Sequence, residues 1–380
     1  MAEIRLVAAE EMAEAIRGSD AVFRDAEQIS MGAAFPAVFS PALSQSFGAY
    51  EDGKLVSFMG LVPAVLRIGD ARVPMYSLGS VYTLPDFRGH GYAGDILQAI
   101  KAHVRASGGA LVYVSGDRSL YTRNQCHPFG AIDRCAIGAA QAEGLLQAGA
   151  AAGFAVREMA PTDWMYVSEL AAARRVAYEQ SVRELAELIA SEAYASCLKL
   201  RHRTLVATKD GRVAAFAVVA TPDERGSKRT PLAVEWAGDA VAVAAILGHA
   251  ATAYGLPQLD VPVAWHEREL AAALAGVPSA AGRNLGTVHV ADAERLFACL
   301  APYWRTSIAD PTELPHVRTL PDHRYALTAA DGRTFELDSA SLVSLLFDPM
   351  PSLPAVPEAR AAMLGPFPVP LPYAGGLNYV

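Results

Sequence analysis

Cysteine is scarce: Cys126, Cys135, Cys197 and Cys299 stand singly, with no CxxC pair and no zinc-like grouping of Cys and His. That spacing excludes the usual zinc modules and suggests no disulfide framework, so reduced thiols and no bound metal are expected. Long uncharged apolar runs are missing too. The N-terminus carries Glu3, Glu10, Glu11 and Glu14 where a secretion signal needs a basic start and an apolar core. No stretch reaches the ~20 apolar residues of a membrane span, and proline and glycine break up the uncharged tail after Arg360. A cytoplasmic protein without a membrane partner is the expectation. There is no basic excess either: 32 Lys and Arg face 40 Asp and Glu, for a net charge of −8, which argues against a surface that tracks nucleic-acid phosphates.

What is present is core material. A hydrophobic fraction of 52% over 380 residues makes extended disorder a poor description, and this length suits two or three domains of about 100–200 residues each. Residues 1–150 read as mixed α/β: a strand from Ile4, helices over Glu10–Arg17 and around Ala21–Ile29, and two strands, Leu55–Ile68 and Ala71–Thr83, punctuated by Asp52-Gly53 and Gly69-Asp70. Ala93, Ile96, Leu97, Ile100 and Val104 then recur at helical spacing before a strand at Ala110–Ser115. The Ala/Gly-rich stretch Gly144–Gly153 suggests a boundary.

Residues 154–285 repeat that coarse order. Helices are predicted over Trp164–Ala177, Val182–Glu192 and Val241–Tyr254, and strands over Val213–Val219 and Gln258–Val263. The connection Trp236-Ala237-Gly238-Asp239-Ala240 has one glycine and a carboxylate that would repel phosphate, so it is a poor nucleotide or coenzyme site. Residues 286–380 form an α+β module with helices at Ala291–Leu300 and Ser339–Leu346 and strands at Arg324–Thr328 and Thr334–Leu337.

The strongest local signal is VYTLPDFRGHGYAGDIL, residues 81–97, where a strand ends before Pro85 and Arg88-Gly89-His90-Gly91-Tyr92-Ala93 leads into the amphipathic helix. Exposed N–H groups and the positive end of that helix suit a pyrophosphate, with Gly89 and Gly91 allowing close approach and Ala93 keeping the entry narrow. Two glycines alone would equally suit an ordinary strand-to-helix turn.

The full pattern resembles the R/Q-x-x-G-x-G/A motif of the GCN5-related N-acetyltransferases (GNAT), carried here by Arg88, Gly91 and Ala93. The resemblance implies acetyl-CoA as acetyl donor, pyrophosphate held by residues 88–93, and a pantetheine arm along Gly79, Ser80 and Val81. Gly79 is also the residue a strand bulge would need. Tyr121, followed by Phe129-Gly130, resembles the family's general acid, which protonates the departing thiolate; a packing role suits it equally. The segment from Tyr121 to Gly130 departs from the family's simpler Tyr-x-x-x-Gly-Phe corner.

In overall organisation the chain is similar to Eis-like multi-domain enzymes. That likeness implies tandem GNAT-like domains with mixed sheets (1–150 catalytic, 154–285 degenerate) and a sterol-carrier-like α+β domain at 286–380. It also implies a tail whose terminal carboxylate, here Val380, serves as base, although apolar tail residues need burial in any case. The acceptor implied is a small primary amine, polycationic ones included. Protein lysine acetylation and a non-catalytic acetyl-CoA-responsive protein are the alternatives, and homo-oligomerisation stays open.

Other candidates carry less. Asp86 and Asp117 suit solvated loops, His90 a packing or phosphate contact, and His127 the acceptor side. Cys126 beside His127 lacks a third orienting group for thiol chemistry. His266-Glu267-Arg268-Glu269-Leu270 is not HExxH, since Leu270 stands where the second ligand belongs. Trp236 and Trp265 suit core packing or an acceptor wall.

Overall fold

Largely apolar, buried strands separated by turns at Asp52-Gly53 and Gly69-Asp70 build the first sheet. The computed structural model describes residues 2–223 and 227–380. In chain order the first elements are β1 (Glu3–Leu6), α1 (Met12–Phe23), α2 (Met31–Ala34), β2 (Phe47–Glu51), β3 (Lys54–Ile68), β4 (Ala71–Thr83), α3 (Tyr92–Ala106), β5 (Leu111–Val114) and α4 (Ser119–Thr122). Asp52 and Gly53 both adopt left-handed φ, 51° and 78°, and turn β2 back onto β3. β1 to β4 run antiparallel in order, and β5 joins β4 in parallel after the α3 crossover. The helical stripe Ile96, Leu97, Ile100 and Val104 packs in one buried cluster with Met59, Leu61, Leu78, Val112 and Val114. The helix expected around Ala21–Ile29 is absent; α1 instead runs on to Phe23.

By compactness the chain divides into two units. The first comprises 1–130, 284–374 and 379–380; the second comprises 131–283 and 375–378. Strand Thr287–Val290, which the sequence does not announce, pairs antiparallel with β5 and extends the first sheet. The first unit also holds a three-stranded antiparallel sheet, His316–Leu320, Arg324–Thr328 and Thr334–Asp338, followed by helix Ser339–Phe347.

The second unit has a seven-stranded sheet in the order Ser279–Gly282, Ile132–Ile137, Leu259–Ala264, Leu232–Gly238, Arg212–Thr221, Arg201–Lys209 and Ala155–Glu158. Leu232–Gly238 and Leu259–Ala264 are parallel across helix Ala240–Ala253, the same β–loop–α–β plan as in the first unit. The Ala/Gly-rich stretch expected to mark a boundary near residue 150 is largely helix Ala139–Ala151. Its small residues serve close packing rather than flexibility. A β-carbon at Gly149 would collide with Ala245, and one at Gly248 would lie 2.7 Å from the Ala142 carbonyl oxygen.

Arg174 bridges Glu235 and Glu267, and the Trp236 indole donates to Glu267 at 3.1 Å, so Glu267 and Trp236 are structural. Among the described residues no helix is long and apolar enough to cross a membrane, and no group of three or more His, Cys, Asp or Glu could hold a metal.

Near the N-terminus, Glu11 receives two 2.7 Å hydrogen bonds from Arg5 and further ones from the Ala8 amide and the Tyr50 hydroxyl, both at 2.9 Å. The Arg5 hydrogen bonds lead in lowering its pKa from 4.5 to about 2. A depressed carboxylate stabilises the fold above its unfolded pKa and loses that contribution as pH falls through the folded value. Glu11→Gln is therefore expected to cost about 1–2 kcal/mol near neutrality, once screening of a partly exposed pair is allowed for. Melting curves of the two proteins should converge as pH falls from 4.5 to about 2.

Candidate active site

Where β4 ends, the chain makes a short 3-10 turn at Pro85–Phe87 and an extended step at Arg88 before α3 begins at Tyr92. Gly89 and Gly91 take φ of 84° and 85°, a conformation that side chains resist, twice within three residues. A β-carbon at either would meet nothing within 4 Å, so the glycines are needed for their dihedrals and their surface is open. No side chain caps α3, which leaves its first-turn amides directed outward with the positive end of the helix dipole. The open groove there is lined by Thr83, Phe87, Arg88, Gly91, Ala93 and Arg123, among others. Arg88 anchors its guanidinium on the Thr83 carbonyl at 3.3 Å. His90 stacks on Tyr92 with ring centroids 5.6 Å apart, and the Tyr92 hydroxyl donates to Glu51 at 3.0 Å.

The equivalent turn of the second unit is closed. There the Asp239 carboxylate caps the helix, accepting from the Val241 and Ala242 amides at 2.9 and 3.0 Å, so the anion-binding groups are already used.

Upstream of the groove, β4 parts from β5. The two strands pair only over Met75–Leu78 and Leu111–Val114, and the last link is the Ser115 amide to the Leu78 carbonyl at 3.0 Å. On the other side, the β3–β4 register slips between Phe58 and Gly60, so that Ser80 and Val81 face Met59 alone. This is a bulge, and it turns β4 away from its neighbour. Gly79 borders the bulge, which accounts for the glycine on structural grounds, and it also admits the chain terminus. A side chain there would collide with the carboxyl group of Val380 and lie 2.8 Å from the Ser115 hydroxyl oxygen.

The tail that delivers Val380 is held at several points. Buried Asn284 donates to the Pro372 carbonyl at 2.9 Å and accepts from the Ala374 amide at 2.9 Å. Phe367 packs against Trp304, centroids 5.3 Å apart, and Tyr379 approaches Phe35 at 6.2 Å. Leu377 is buried in a cluster of the second unit. Apolar burial and delivery of the carboxylate thus coexist.

Tyr121 sits on α4, only 6% exposed, with its ring against Gly116, where a β-carbon would lie 2.8 Å from it. Ser115 and Gly116 are consecutive, so the Val380 carboxyl and the Tyr121 ring flank the same end of β5. Burial first, then nearby Cys126, pushes the phenol up to about 12 and keeps it protonated at neutral pH.

His127 does not stand free: its backbone pairs with Val288 and its Nε2 lies 2.8 Å from the Ser339 hydroxyl oxygen. Cys126 is buried, and its thiol is pushed up to about 11 by that burial, which makes it a poor nucleophile. Sequence reasoning missed Ser115, Gly116 and Asn284. Their signal lies in tertiary contacts, not in any local pattern.

Residues 3–124 match a family model described as an acetyltransferase (GNAT) domain. Among curated proteins, none matches the sequence. Solved structures resemble it over nearly the whole length. The GCN5-related N-acetyltransferase of Kribbella flavida is 15% identical with a TM-score of 0.66, covering 98% of this chain and 100% of that one. For the GCN5-related N-acetyltransferase of Anabaena variabilis the values are 13%, 0.65, 98% and 99%. For Eis1 of Mycobacterium abscessus they are 15%, 0.64, 97% and 98%. Residues 3–124 are thus similar to a GNAT acetyltransferase domain, in a chain whose mixed α/β fold is similar to these structures over nearly its whole length.

Proposed function

We propose that the protein transfers the acetyl group of acetyl-CoA to the primary amine of a small molecule, with polycationic amines in its range. One observation carries this reading: the C-terminal carboxyl group lies against Gly79 at the end of β5, where the phenol of Tyr121 also lies, upstream of an uncapped, glycine-lined helix N-terminus. A carboxylate and a protonated phenol are the base and acid that aminolysis of a thioester needs.

In this reading the amides of 88–93 hold the coenzyme pyrophosphate, with Arg88, Gly89, His90, Gly91, Tyr92 and Ala93 shaping the turn. The backbone of Gly79, Ser80 and Val81, freed from β5, orients the pantetheine arm and thioester. An amine near neutrality carries an extra proton, which the Val380 carboxylate takes. The nitrogen attacks the thioester carbon, the C–S bond breaks as Tyr121 gives its proton to the leaving sulfur, and the second proton shed by the acylated nitrogen returns Tyr121 to the phenol while Val380 loses its proton to solvent. The second GNAT-like region is degenerate in this scheme because Asp239 occupies the amides that would bind phosphate. The sterol-carrier-like character of 286–380 belongs to the same proposal, supported by the three-stranded sheet followed by helix Ser339–Phe347.

The deciding experiment incubates the full chain with acetyl-CoA and a panel of amines while free thiol is measured. Amine-dependent release is expected; tight binding of acetyl-CoA without release would instead make this a coenzyme-responsive binding protein. Tyr121→Phe should lower kcat about 100-fold and leave KM for acetyl-CoA within about twofold. With the phenol up near 12, Tyr121 should impose no alkaline loss of rate below about pH 10. Removing Asn378–Val380 should lower kcat at least about tenfold with the melting temperature retained. Unchanged turnover would exclude the carboxylate as base.

A further inference from the structure

Ser80 is anomalous in two independent ways. Its φ of 52° is left-handed, and among the described non-glycine residues with such φ it alone lies inside a strand; the others sit in turns or at helix ends. Its hydroxyl oxygen is buried and has no hydrogen-bond partner. Each feature costs stability: L-residues avoid left-handed backbone, and a buried hydroxyl without a partner has given up water for nothing. Glycine at this position would remove both costs, and glycine already occupies the neighbouring position 79 and, across the bulge, position 60. A packing role does not explain the side chain, since a serine that packs without bonding contributes little that alanine would not.

Location supplies the explanation. Ser80 follows Gly79, against which the Val380 carboxyl rests, and is one of the two residues facing Met59 alone where β4 bends from β5. Strain kept at a bulge beside a reacting centre is a recurrent device for aiming a polar group. Resting on the acetyl-transfer reading, we infer that the Ser80 hydroxyl is a catalytic hydrogen-bond donor to the thioester carbonyl oxygen. As the amine nitrogen bonds to the carbonyl carbon, that oxygen gains negative charge and the hydroxyl donates to it without giving up its proton. When the C=O bond re-forms and the C–S bond breaks, the hydroxyl is unchanged. The orphaned group thus finds its partner only when acetyl-CoA is bound, and the hydrogen bond is strongest in the transition state, where it accelerates the reaction.

The test compares wild type, Ser80→Ala and Ser80→Gly as full chains, measuring acetyl-CoA-dependent thiol release with the best amine of the panel. Both variants should lose about 100-fold in kcat, with KM for acetyl-CoA within about twofold and an unmoved pH profile. Ser80→Gly should also melt above wild type, because the left-handed backbone is no longer strained; this variant stays interpretable if the alanine protein folds poorly. Wild-type turnover in Ser80→Gly would overturn the inference. So would a loss confined to a shifted acid limb, which would place the hydroxyl on the Val380 carboxylate, or a KM increase that accounts for the whole defect. A wild-type chain that binds acetyl-CoA yet releases no thiol with any amine refutes the acetyl-transfer reading itself, and this inference with it. An active wild type with an equally active Ser80→Gly refutes the inference alone.

Discussion

Two parallel strands that pair over four residues each and then separate create the opportunity on which the rest of the first unit depends. β4 and β5 are tied together through Leu78 and Val114, after which the bulge at Ser80 and Val81 carries β4 away. Parallel pairing normally satisfies every backbone polar group along both edges. Ending it early leaves β4 amides and carbonyls without a strand partner on that side, and makes space between the strands. Gly79 widens that space by having no side chain, which is why the chain terminus can reach it. Were Gly79 any other residue, the carboxyl of Val380 and the Ser115 hydroxyl would have to move.

The same β–loop–α–β plan occurs twice and shows how little separates an uncapped helix N-terminus from a capped one. In the first unit, Gly91 leads into α3 with no side-chain cap. In the second, Asp239 fills the corresponding place with its carboxylate on two helix amides. Helix N-terminal amides need partners wherever they lie. An aspartate provides them within the chain; a glycine-rich turn leaves them for a ligand. The second unit has given its amides to stability, and its alanine-rich helices pack closely through Gly149 and Gly248.

Residues remote in sequence complete the first unit. Thr287–Val290 adds a strand beside β5, and Asn284 just before it holds the tail through Pro372 and Ala374. Those anchors limit the freedom of an otherwise flexible terminus, so placing the Val380 carboxylate carries less entropic cost. His127, bound to Val288 and Ser339, has the same tying function and is spent on it.

Local pattern was enough for much of this. The hairpin turn at Asp52-Gly53, the long strands, the helical stripe of α3 and the glycines that must turn left before it are each dictated by neighbouring residues through steric or periodic rules. Asp239 was legible as a carboxylate that repels phosphate; its capping of the helix appears only in its hydrogen bonds to the Val241 and Ala242 amides. Other features depended on partners far along the chain. The Ala/Gly-rich helix Ala139–Ala151 has little amphipathic contrast and looks like a linker until helix Ala240–Ala253 is packed on it. Thr287–Val290 is four residues long and becomes a strand because β5 has an open edge.

At the site the division is similar. Sequence alone marked the glycine turn of 88–93, since glycine dihedrals are local properties, whereas Tyr121 and Val380 were singled out by resemblance to a known family. Only the tertiary structure decided that Val380 meets Gly79, that Ser115 and Gly116 join it to Tyr121, and that Ser80 carries an unpartnered hydroxyl on left-handed backbone. Those facts arise from one strand bulge and one anchored tail separated by about three hundred residues, and no local rule couples positions so far apart.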